Sequence, residues 1–435
     1  MRKAQGIGNI RGFALAVCTL LAGCAAVPEP VAEVQAPAPV EVRLPKTARA
    51  PAAPPSKPPA PVVRPAEPPT SKPPEAIFSP APVAPISAPR YPGRQQGVAR
   101  VLELLPPSVT RDRNGWAADI FAAFVALRIA PTAENFCAAI AVIEQESGFI
   151  ADPAVPGLSR IAWREIEARR QRFHIPKLAL DAALAKPSPN GQTYKRRLDT
   201  LRTEREMSLL YDDMIAELPG GRLLLSGYNP VHTGGPMQVS IAFAEAHART
   251  AGEYGGGVGK GLRNTVFTRP GGLYFGIAHL LDYPAPYHDP LFRFADFNAG
   301  HYSSRNAAFQ QAVARLAGVK LVLDGDLLRY ENGAPSGEAS ATQKAVTALS
   351  GRLKLDSAEI LAALRQEKRD SFARTQLYLR VFAMADQAAG ARVPREAMPR
   401  IELKSPKIQR KLTTAWFAER VHMRYRACMK RAPVA

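Results

Sequence analysis

The sequence predicts a mainly α-helical protein. Apolar residues recur at helical spacing in ten segments, and alternating, strand-like segments are few, with Val319–Leu323 the best candidate. Hydrophobic residues make up 46% of the chain, which permits a substantial core. The predicted helices are Ala117–Ile129, Ala133–Glu146, Ile161–Phe173, Arg196–Glu217, Ile241–Ala251, Leu273–Leu281, Ala307–Leu316, Gln343–Leu349, Ser357–Ala389 and Pro406–Lys430.

Residues 1–23 have the pattern of an export signal. Three basic residues precede the apolar run Gly12–Leu21, which is too short for an ordinary membrane-spanning helix. Leu21-Ala22-Gly23-Cys24 resembles a bacterial lipobox, in which the cysteine is lipid-modified and becomes the mature N-terminus. Because Ala25 follows rather than an aspartate, the resemblance implies an anchor on the periplasmic side of the outer membrane. The alternatives are an uncleaved anchor, or secretion with Cys24 present by chance.

Residues 24–93 predict an extended tether. Prolines alternate there with Ala, Val, Glu and Lys, as in Lys57-Pro58-Pro59-Ala60-Pro61, and such a segment cannot bury a core. At roughly 3.1 Å per residue, a polyproline II segment of about 65 residues reaches on the order of 200 Å. The other interpretation is a ligand for a proline-binding module.

The net charge of +19 favours an anionic partner. Export makes nucleic acid an improbable partner, so an anionic membrane surface or a cell-wall polymer fits the charge better. Many of the basic residues lie in 392–431, where a solvated helix face is the favoured interpretation.

Two of the four cysteines, Cys137 and Cys428, remain after the signal and the lipidation site are set aside. In an oxidising compartment they can form a disulfide that pins the C-terminal helix to the helix of Glu146, or stay separate buried thiols. No Cys/His cluster has metal-ligand spacing, so the sequence predicts neither a metal nor another cofactor.

Glu146 lies at the end of a predicted helix, on its apolar side. A stripe with helical spacing runs through Phe136, Ile140 and Ile143 to Glu146, whereas Glu144 points away from it. Burial of a carboxyl group disfavours its charged form, which is what a general acid needs at neutral pH. From these residues alone, the alternative is a helix-end charge that faces solvent.

Three further segments are candidates for the same site. Asn229–Ser240 predicts an irregular loop because of its glycines and prolines, and Gln238 in it offers amide groups suited to sugar hydroxyls. Gly271–Leu281 predicts a short helix with one apolar face. Phe294–Tyr302 predicts a helix end that breaks at Gly300.

In this order, the segments resemble the signature of the lytic transglycosylase and goose-type lysozyme superfamily. Its members carry a catalytic Glu-Ser at a helix end, a Gly-x-Met-Gln loop, a helix with a central glycine and a Tyr-Asn-Ala-Gly wall. The matching residues here are Glu146-Ser147, Gly235-Pro236-Met237-Gln238-Val239, Tyr274–Leu281 and Phe297-Asn298-Ala299-Gly300. The likeness covers about residues 132–302. The whole chain is also similar to a family of bacterial lipoproteins, which implies no activity by itself.

The resemblance implies a lysozyme-like catalytic domain and a role for each matched residue. Glu146 would be the acid and base, and Ser147 would position it or the substrate. Met237 and Gln238 would line the substrate groove. The residues expected to contact substrate at the far wall are Phe297, Asn298, Gly300 and Tyr302.

The implied reaction is cleavage of the MurNAc–GlcNAc β-1,4 bond of peptidoglycan. The glutamic acid protonates the glycosidic oxygen and then, as a carboxylate, takes the proton of the MurNAc C6 hydroxyl, which leaves a 1,6-anhydro end. Because the C6 hydroxyl of the substrate itself attacks, the second carboxylate of ordinary glycosidases is not needed. Asp296 is the only acidic residue in the three later motifs and is expected to be structural.

Two departures from the family pattern stand out. Phe297 replaces the tyrosine of the wall motif, so Tyr302 or Tyr274 would have to supply a phenol. Gln238 follows Glu146 by 92 residues, a longer interval than the family uses. The additional residues in this interval are predicted to form a charged helical insertion at about 160–218. It either caps the groove and selects glycan ends or peptide stems, or forms a solvated helical hairpin, which is the favoured interpretation.

The resulting architecture is a catalytic domain over residues 94–316 and a helical C-terminal extension over 317–435. The extension is expected to pack on the catalytic domain rather than form a separate binding domain. The leading functional prediction is an outer-membrane-anchored lytic transglycosylase acting on peptidoglycan glycan strands. Alternatives are a hydrolytic muramidase of the same fold, a non-catalytic peptidoglycan-binding lipoprotein, and a structural tether for an envelope machine.

Overall fold

The computed structural model describes residues 89–251, 261–331, 334–403 and 411–433. Helices account for 60% and strands for 5% of the described residues, so the prediction of a mainly α fold is confirmed. The predicted signal, the lipobox at Cys24 and nearly all of the proline-rich tether lie outside the described residues. Within the described ranges, no helix is both long and apolar enough to cross a membrane.

Three helices begin the described chain and share one hydrophobic core. α1 packs on α2, and α3 is buried along most of its length because small and branched apolar residues fill it between Phe136 and Ile143. Thr132 caps α3 by accepting from the Asn135 amide. The three helices are α1 Arg94–Leu104, α2 Arg113–Ala126 and α3 Ala133–Glu146.

The insertion between α3 and the Met-Gln loop has a core of its own, formed from buried residues between Leu158 and Leu218. It is therefore a small helical subdomain rather than the solvated hairpin that the sequence favoured. The predicted helix Arg196–Glu217 is split at residues 200–203, where Thr203 starts a new helix with a capping box. Its helices are α4 Leu158–Arg172, α5 Lys177–Leu184, α6 Tyr194–Asp199, α7 Glu204–Ala216 and α8 Gly221–Leu225.

The chain then returns to the first core through a short hairpin and four helices. Strands β1 Thr233–Gly234 and β2 Val239–Ser240 pair antiparallel, with Thr233 opposite Ser240. A 3-10 turn, Ser226–Tyr228, precedes the hairpin. The helices are α9 Ile241–Ala251, α10 Leu262–Val266, α11 Arg269–Leu281 and α12 Pro290–Ala299.

A second core begins with α13 Ser303–Ala317, which the prediction had assigned to the catalytic domain. Residues between Ala308 and Val393 form this core. The predicted long helix Ser357–Ala389 is broken around a 3-10 turn, Asp370–Arg374. The remaining elements of the part of the chain that forms the second core are β3 Tyr330–Glu331, β4 Ala334–Pro335, α14 Ala341–Ala348, α15 Ser350–Leu353, α16 Ser357–Leu364 and α17 Gln376–Ala389.

The predicted strand Val319–Leu323 is wrong. Gly318 ends α13 with a φ of +66°, and the following residues form no regular element, with Val319 and Val322 exposed. Neither side chain packs against a core, and alternation of apolar residues alone did not produce a strand.

The last helix, α18 Thr414–Met429, leaves the second core and completes the first. It follows the strand pair β5 Glu402–Leu403 and β6 Leu412–Thr413. Two contacts show that α18 runs antiparallel to α3. A disulfide joins Cys137 to Cys428, and further along α3 Glu144 lies 3.9 Å from Arg424, which precedes Cys428. The C-terminal extension therefore has two parts, and its last helix packs against the helix of Glu146.

Candidate active site

Glu146 is the last residue of α3 and only 3% of it is exposed. Neither carboxyl oxygen has a hydrogen-bond partner among the described residues. Burial, and then the negative charge of Glu204, raise the pKa of the Glu146 carboxyl group well above its usual value. Burial therefore favours the neutral form of Glu146, whereas Glu144 lies partly exposed beside Arg424.

The chain turns sharply directly after Glu146. Gly148 and Phe149 both adopt left-handed backbone conformations, with φ of +56° and +63°. The Phe149 ring packs edge-on against Trp116, with 5.2 Å between the centroids. The Trp116 ring in turn lies under the Arg269 guanidinium, which pairs with Asp119. These contacts fix the turn, and with it the end of α3, on α2 and α11.

The insertion is attached to the segment that follows this turn. Ala154 and Thr203 form an antiparallel bridge, and the Val155 amide donates to the Arg202 carbonyl at 2.8 Å. The Thr203 hydroxyl donates to Asp152 Oδ2 at 3.0 Å. These bonds place the first turn of α7 beside the end of α3.

Glu204, the first residue of α7, is buried at this junction, with 6% of it exposed, and its negative charge acts on Glu146. A second carboxyl group, Asp152, lies at the same junction. Burial raises the pKa of Asp152, and the charges of Glu206 and Glu204 add to that effect, while its bond from Thr203 acts in the opposite direction. The structure thus gathers three acidic groups where the sequence predicted one.

The Met-Gln loop is the turn of the β1–β2 hairpin and packs on α11. Met237 is fully buried against Gly276, where any side chain would collide with it, since an added Cβ would lie 2.5 Å from the Met237 side chain. Gln238 has a φ of +48°, which a non-glycine residue rarely adopts. Its amide nitrogen donates to the Gly235 carbonyl at 3.3 Å, and its amide oxygen accepts from Thr233 at 3.3 Å.

Gly235→Ala is expected to destabilise the protein by about 1–3 kcal/mol, because it overpacks the loop and strains its backbone. Gly235 has a φ of +74°, and an added Cβ would lie 2.2 Å from the Val266 carbonyl oxygen. Urea denaturation of the purified protein measures the loss. Gly227→Ala is the matched control, because an added Cβ there meets nothing within 4 Å. Equal stability of the two variants would contradict the close packing of the hairpin on α11.

The wall motif ends α12. Phe297 is buried between the His279 ring, at 5.1 Å, and the Phe417 ring, at 6.4 Å. An apolar ring therefore stands at the position that matches the tyrosine of the superfamily's wall motif. The Asn298 Oδ1 atom accepts from the Thr414 hydroxyl at 2.9 Å, while its Nδ2 atom is buried with no partner in the described chain.

Glu146 and Asn298 lie at the same end of one layer of helices. α12 runs antiparallel to α18, as its contacts from Phe294 with Tyr425 to Asn298 with Thr414 show. α3 also runs antiparallel to α18. The C-terminal ends of α3 and α12 therefore both lie toward the N-terminal end of α18. Each carries buried polar atoms with no partner in the described ranges, both oxygens of Glu146 and the amide nitrogen of the half-buried Asn298.

Two comparisons bear on the family of the chain. The family described as "Protein of unknown function (DUF1615)" matches residues 109–431. The chain belongs to this family. It is 50% identical to the "Uncharacterized protein YaiW" of Escherichia coli (strain K12) over 333 residues, which are 77% of this chain and 90% of that protein. No solved structure gives a significant match.

The other predicted site residues of this DUF1615 chain are held by local contacts. The Ser147 hydroxyl donates to the Ile143 carbonyl at 3.1 Å rather than to Glu146. Gly300 has a φ of +106° and donates its amide to the Asp296 carbonyl at 2.7 Å. Tyr302 packs its ring under the Arg305 guanidinium, 4.2 Å away, on the side of the second core.

Asp296 is structural in the DUF1615 fold, because four groups hydrogen-bond to its buried carboxylate. Burial raises its pKa to about 6, against the lowering effect of these bonds. The donors are the Tyr287 hydroxyl at 2.7 Å, the Tyr283 hydroxyl at 3.3 Å, the Tyr302 amide at 2.8 Å and the Ser304 amide at 2.7 Å.

Sequence reasoning missed Glu204 and the aromatic cluster around His279. The His279 ring stacks on His301 at 4.6 Å and packs against Phe243 at 4.5 Å. Burial lowers the pKa of His279 to about 3, so the ring is neutral at physiological pH. In the described ranges, no group of three or more His, Cys, Asp or Glu side chains is arranged to hold a metal ion. The signals available in the sequence were the (i, i+4) spacings of Phe243 with His247, His279 with Tyr283 and Phe297 with His301.

Proposed function

We propose that this protein is a peptidoglycan lytic transglycosylase with Glu146 as its single acid and base, anchored in the outer membrane through Cys24. The observation that carries the proposal is a buried carboxyl group at the end of a core helix, which has no hydrogen-bond partner among the described residues and whose pKa is raised by burial. Leaving a buried polar group unpaired costs about 1–3 kcal/mol. A ligand that accepts the Glu146 proton would recover that cost.

The chemistry follows from the protonation state of Glu146. A neutral carboxyl group donates its proton to the glycosidic oxygen as the C1–O4 bond breaks and the leaving sugar takes the electron pair. The resulting carboxylate then accepts a proton from the C6 hydroxyl while that oxygen bonds to C1. General acid–base catalysis of this kind contributes about 10²–10⁴-fold to the rate.

The substrate class rests on the motif order and on the polar groups around it. Asn298 has an unpaired amide nitrogen at the end of the helix layer where Glu146 lies. Amide groups of this type suit sugar hydroxyls and N-acetyl groups. Because both Glu146 oxygens are shielded from solvent, a glycan reaches them only after one of the segments packed around them moves.

Hydrolysis by the same fold is a second candidate, and Glu204 is the observation that favours it. Ordinary glycosidases use two carboxyl groups, one as acid and the other as base or nucleophile. Glu146 and Glu204 are both buried, and the negative charge of Glu204 raises the pKa of the Glu146 carboxyl group. Water rather than the C6 hydroxyl would then attack C1.

Products distinguish these possibilities. Purified protein is incubated with peptidoglycan sacculi, and the released muropeptides are identified by mass spectrometry. The expected products carry 1,6-anhydro ends, which are lighter by one water than hydrolysed reducing ends. Reducing ends would establish a muramidase. Binding without release would leave a non-catalytic peptidoglycan-binding protein and overturn the enzymatic proposal.

A further inference from the structure

A cavity of about 400 Å³ opens in the helical insertion, and none of the candidate site residues lines it. Its walls come from the turn before α6, from the end of α6 and from the first turns of α7. A volume of about 300–1,000 Å³ is usual for a site that holds one small ligand. The residues that line this cavity include Asn190, Gln192, Arg197, Leu201, Glu206 and Leu209.

Two opposite charges line this cavity without pairing with each other. The Arg197 Nη1 atom pairs with Asp213 at 2.7 Å, which holds the guanidinium in place and leaves its other nitrogens without a bond in the described chain. The Glu206 Oε2 atom accepts from the Arg202 amide at 2.7 Å and from the Thr203 amide at 3.2 Å. No bond to the Glu206 Oε1 atom is present among the described residues. A fixed cation and a fixed anion with unused atoms suit a ligand that carries both charges.

Amide groups and an apolar side chain complete the walls. The Asn190 Oδ1 atom accepts from the Ser188 hydroxyl at 2.8 Å and from the Gln192 backbone amide at 3.1 Å. These bonds fix the Asn190 side chain and leave its Nδ2 atom as a donor for a ligand. The exposed Gln192 side chain adds a second amide. Leu209, one turn after Glu206 on α7, is 36% exposed and offers an apolar contact to the hydrocarbon part of a ligand.

We propose that this cavity binds the zwitterionic end of a peptide, a residue that carries a free carboxylate and a free ammonium group. The carboxylate accepts from the Arg197 guanidinium, whose planar donors match its two oxygens. The Asn190 and Gln192 amides donate to the same carboxylate, and the ammonium group donates to Glu206. In peptidoglycan, the group of this class is a stem-peptide residue that is both a diamine and a dicarboxylate. The choice of peptidoglycan rests on the proposed function.

The cavity adjoins the junction that attaches the insertion to the candidate site. Glu206 accepts from the backbone amide of Thr203, and Thr203 bridges to Ala154 in the segment that follows Glu146. Stem peptides branch from the MurNAc lactyl group, so the scissile bond and the stem belong to one substrate. Three extended residues span about 10 Å. The insertion then selects glycan strands that still carry their peptides.

Isothermal titration calorimetry of the full-length protein in detergent tests the cavity with a defined tripeptide, L-Ala-γ-D-Glu-meso-diaminopimelate. One comparison peptide ends in L-lysine, which lacks the side-chain carboxylate, and another has its side-chain amine acetylated. Each loss of a charged hydrogen bond is expected to weaken binding by about 10–100-fold. No binding of the first tripeptide, or equal binding of all three, would overturn the proposal.

Variants of the two charged residues test whether the ligand lies in this cavity. Arg197→Gln and Glu206→Gln are each expected to weaken binding of the first tripeptide by about 10–100-fold. The glutamine at position 206 can still accept the two amide bonds of the cap. Arg196→Gln is the matched control, because Arg196 is exposed beside Arg197 and does not line the cavity. An equal loss in all three variants would contradict the site. If Arg197→Gln unfolds without its bond to Asp213, the peptide series on wild type still decides.

Glycan release separates this site from the proposed function. Wild type that binds the tripeptide but releases no muropeptide would refute the lytic transglycosylase and leave the cavity site standing. Equal release from intact sacculi and from strands stripped of peptide, with no binding of the tripeptide, would keep the enzyme and overturn the cavity site.

Discussion

Glu146→Gln is expected to reduce release of muropeptides from peptidoglycan by about 10²–10⁴-fold, the usual contribution of a general acid. The substitution keeps the shape of the side chain but removes the proton that the glycosidic oxygen needs. Glu144→Gln is the matched control, because Glu144 lies two residues away on the same helix, partly exposed beside Arg424. Equal activity of wild type and Glu146→Gln would exclude Glu146 as the acid.

Unfolding does not explain the expected loss of activity. The folded state raises the pKa of Glu146, so the stability that this group contributes is fully present below its unfolded pKa, near 4.5, and is lost as pH rises through the folded value. A neutral glutamine avoids that loss. Glu146→Gln should therefore be at least as stable as wild type at pH 7, and thermal denaturation monitored by circular dichroism measures this.

Removal of the Cys137–Cys428 disulfide is expected to lower the free energy of unfolding by about 2–5 kcal/mol. The bond closes a loop between residues 291 positions apart, and it joins two helices of the first core. Without it, the unfolded chain gains the conformational freedom of that loop. The double variant Cys137→Ala and Cys428→Ala avoids placing hydroxyl groups at two fully buried positions.

Urea denaturation with and without a reducing agent measures the effect of the disulfide. Wild type should lose stability on reduction, whereas the double alanine variant should not respond to the reducing agent. If reduction leaves the wild-type midpoint unchanged, the bond either does not form or does not stabilise the fold. Mass measurement before and after thiol labelling distinguishes these two results.

Local signals predicted the bounds of α3 and the burial of Glu146 correctly. Thr132 is a capping residue, the apolar stripe has helical spacing, and Gly148 ends the helix with a positive φ, so the predicted and observed bounds coincide. Burial of Glu146 follows from the same stripe. The resemblance to the transglycosylase and lysozyme superfamily also favoured Glu146 over Glu144. Of these two residues, Glu146 is the buried one.

The effect of Glu204 on Glu146 could not be predicted in this way. Glu204 follows Glu146 by 58 residues, and its charge acts on Glu146 because Ala154 pairs with Thr203 and the insertion folds on its own core. No periodicity within either helix encodes that arrangement. The split of the predicted helix Arg196–Glu217 did have a signal in the sequence, because Thr203 and Glu206 have the Thr-x-x-Glu spacing of a capping box that starts a helix.

The position of α18 has a consequence for the order in which the chain can fold. The helix of Glu146 is synthesised early, yet Phe417, Val421 and Cys428 fill the core against which it packs. A chain that still lacks its last few dozen residues leaves one side of α3 uncovered. The candidate site therefore forms only after α18 has been synthesised.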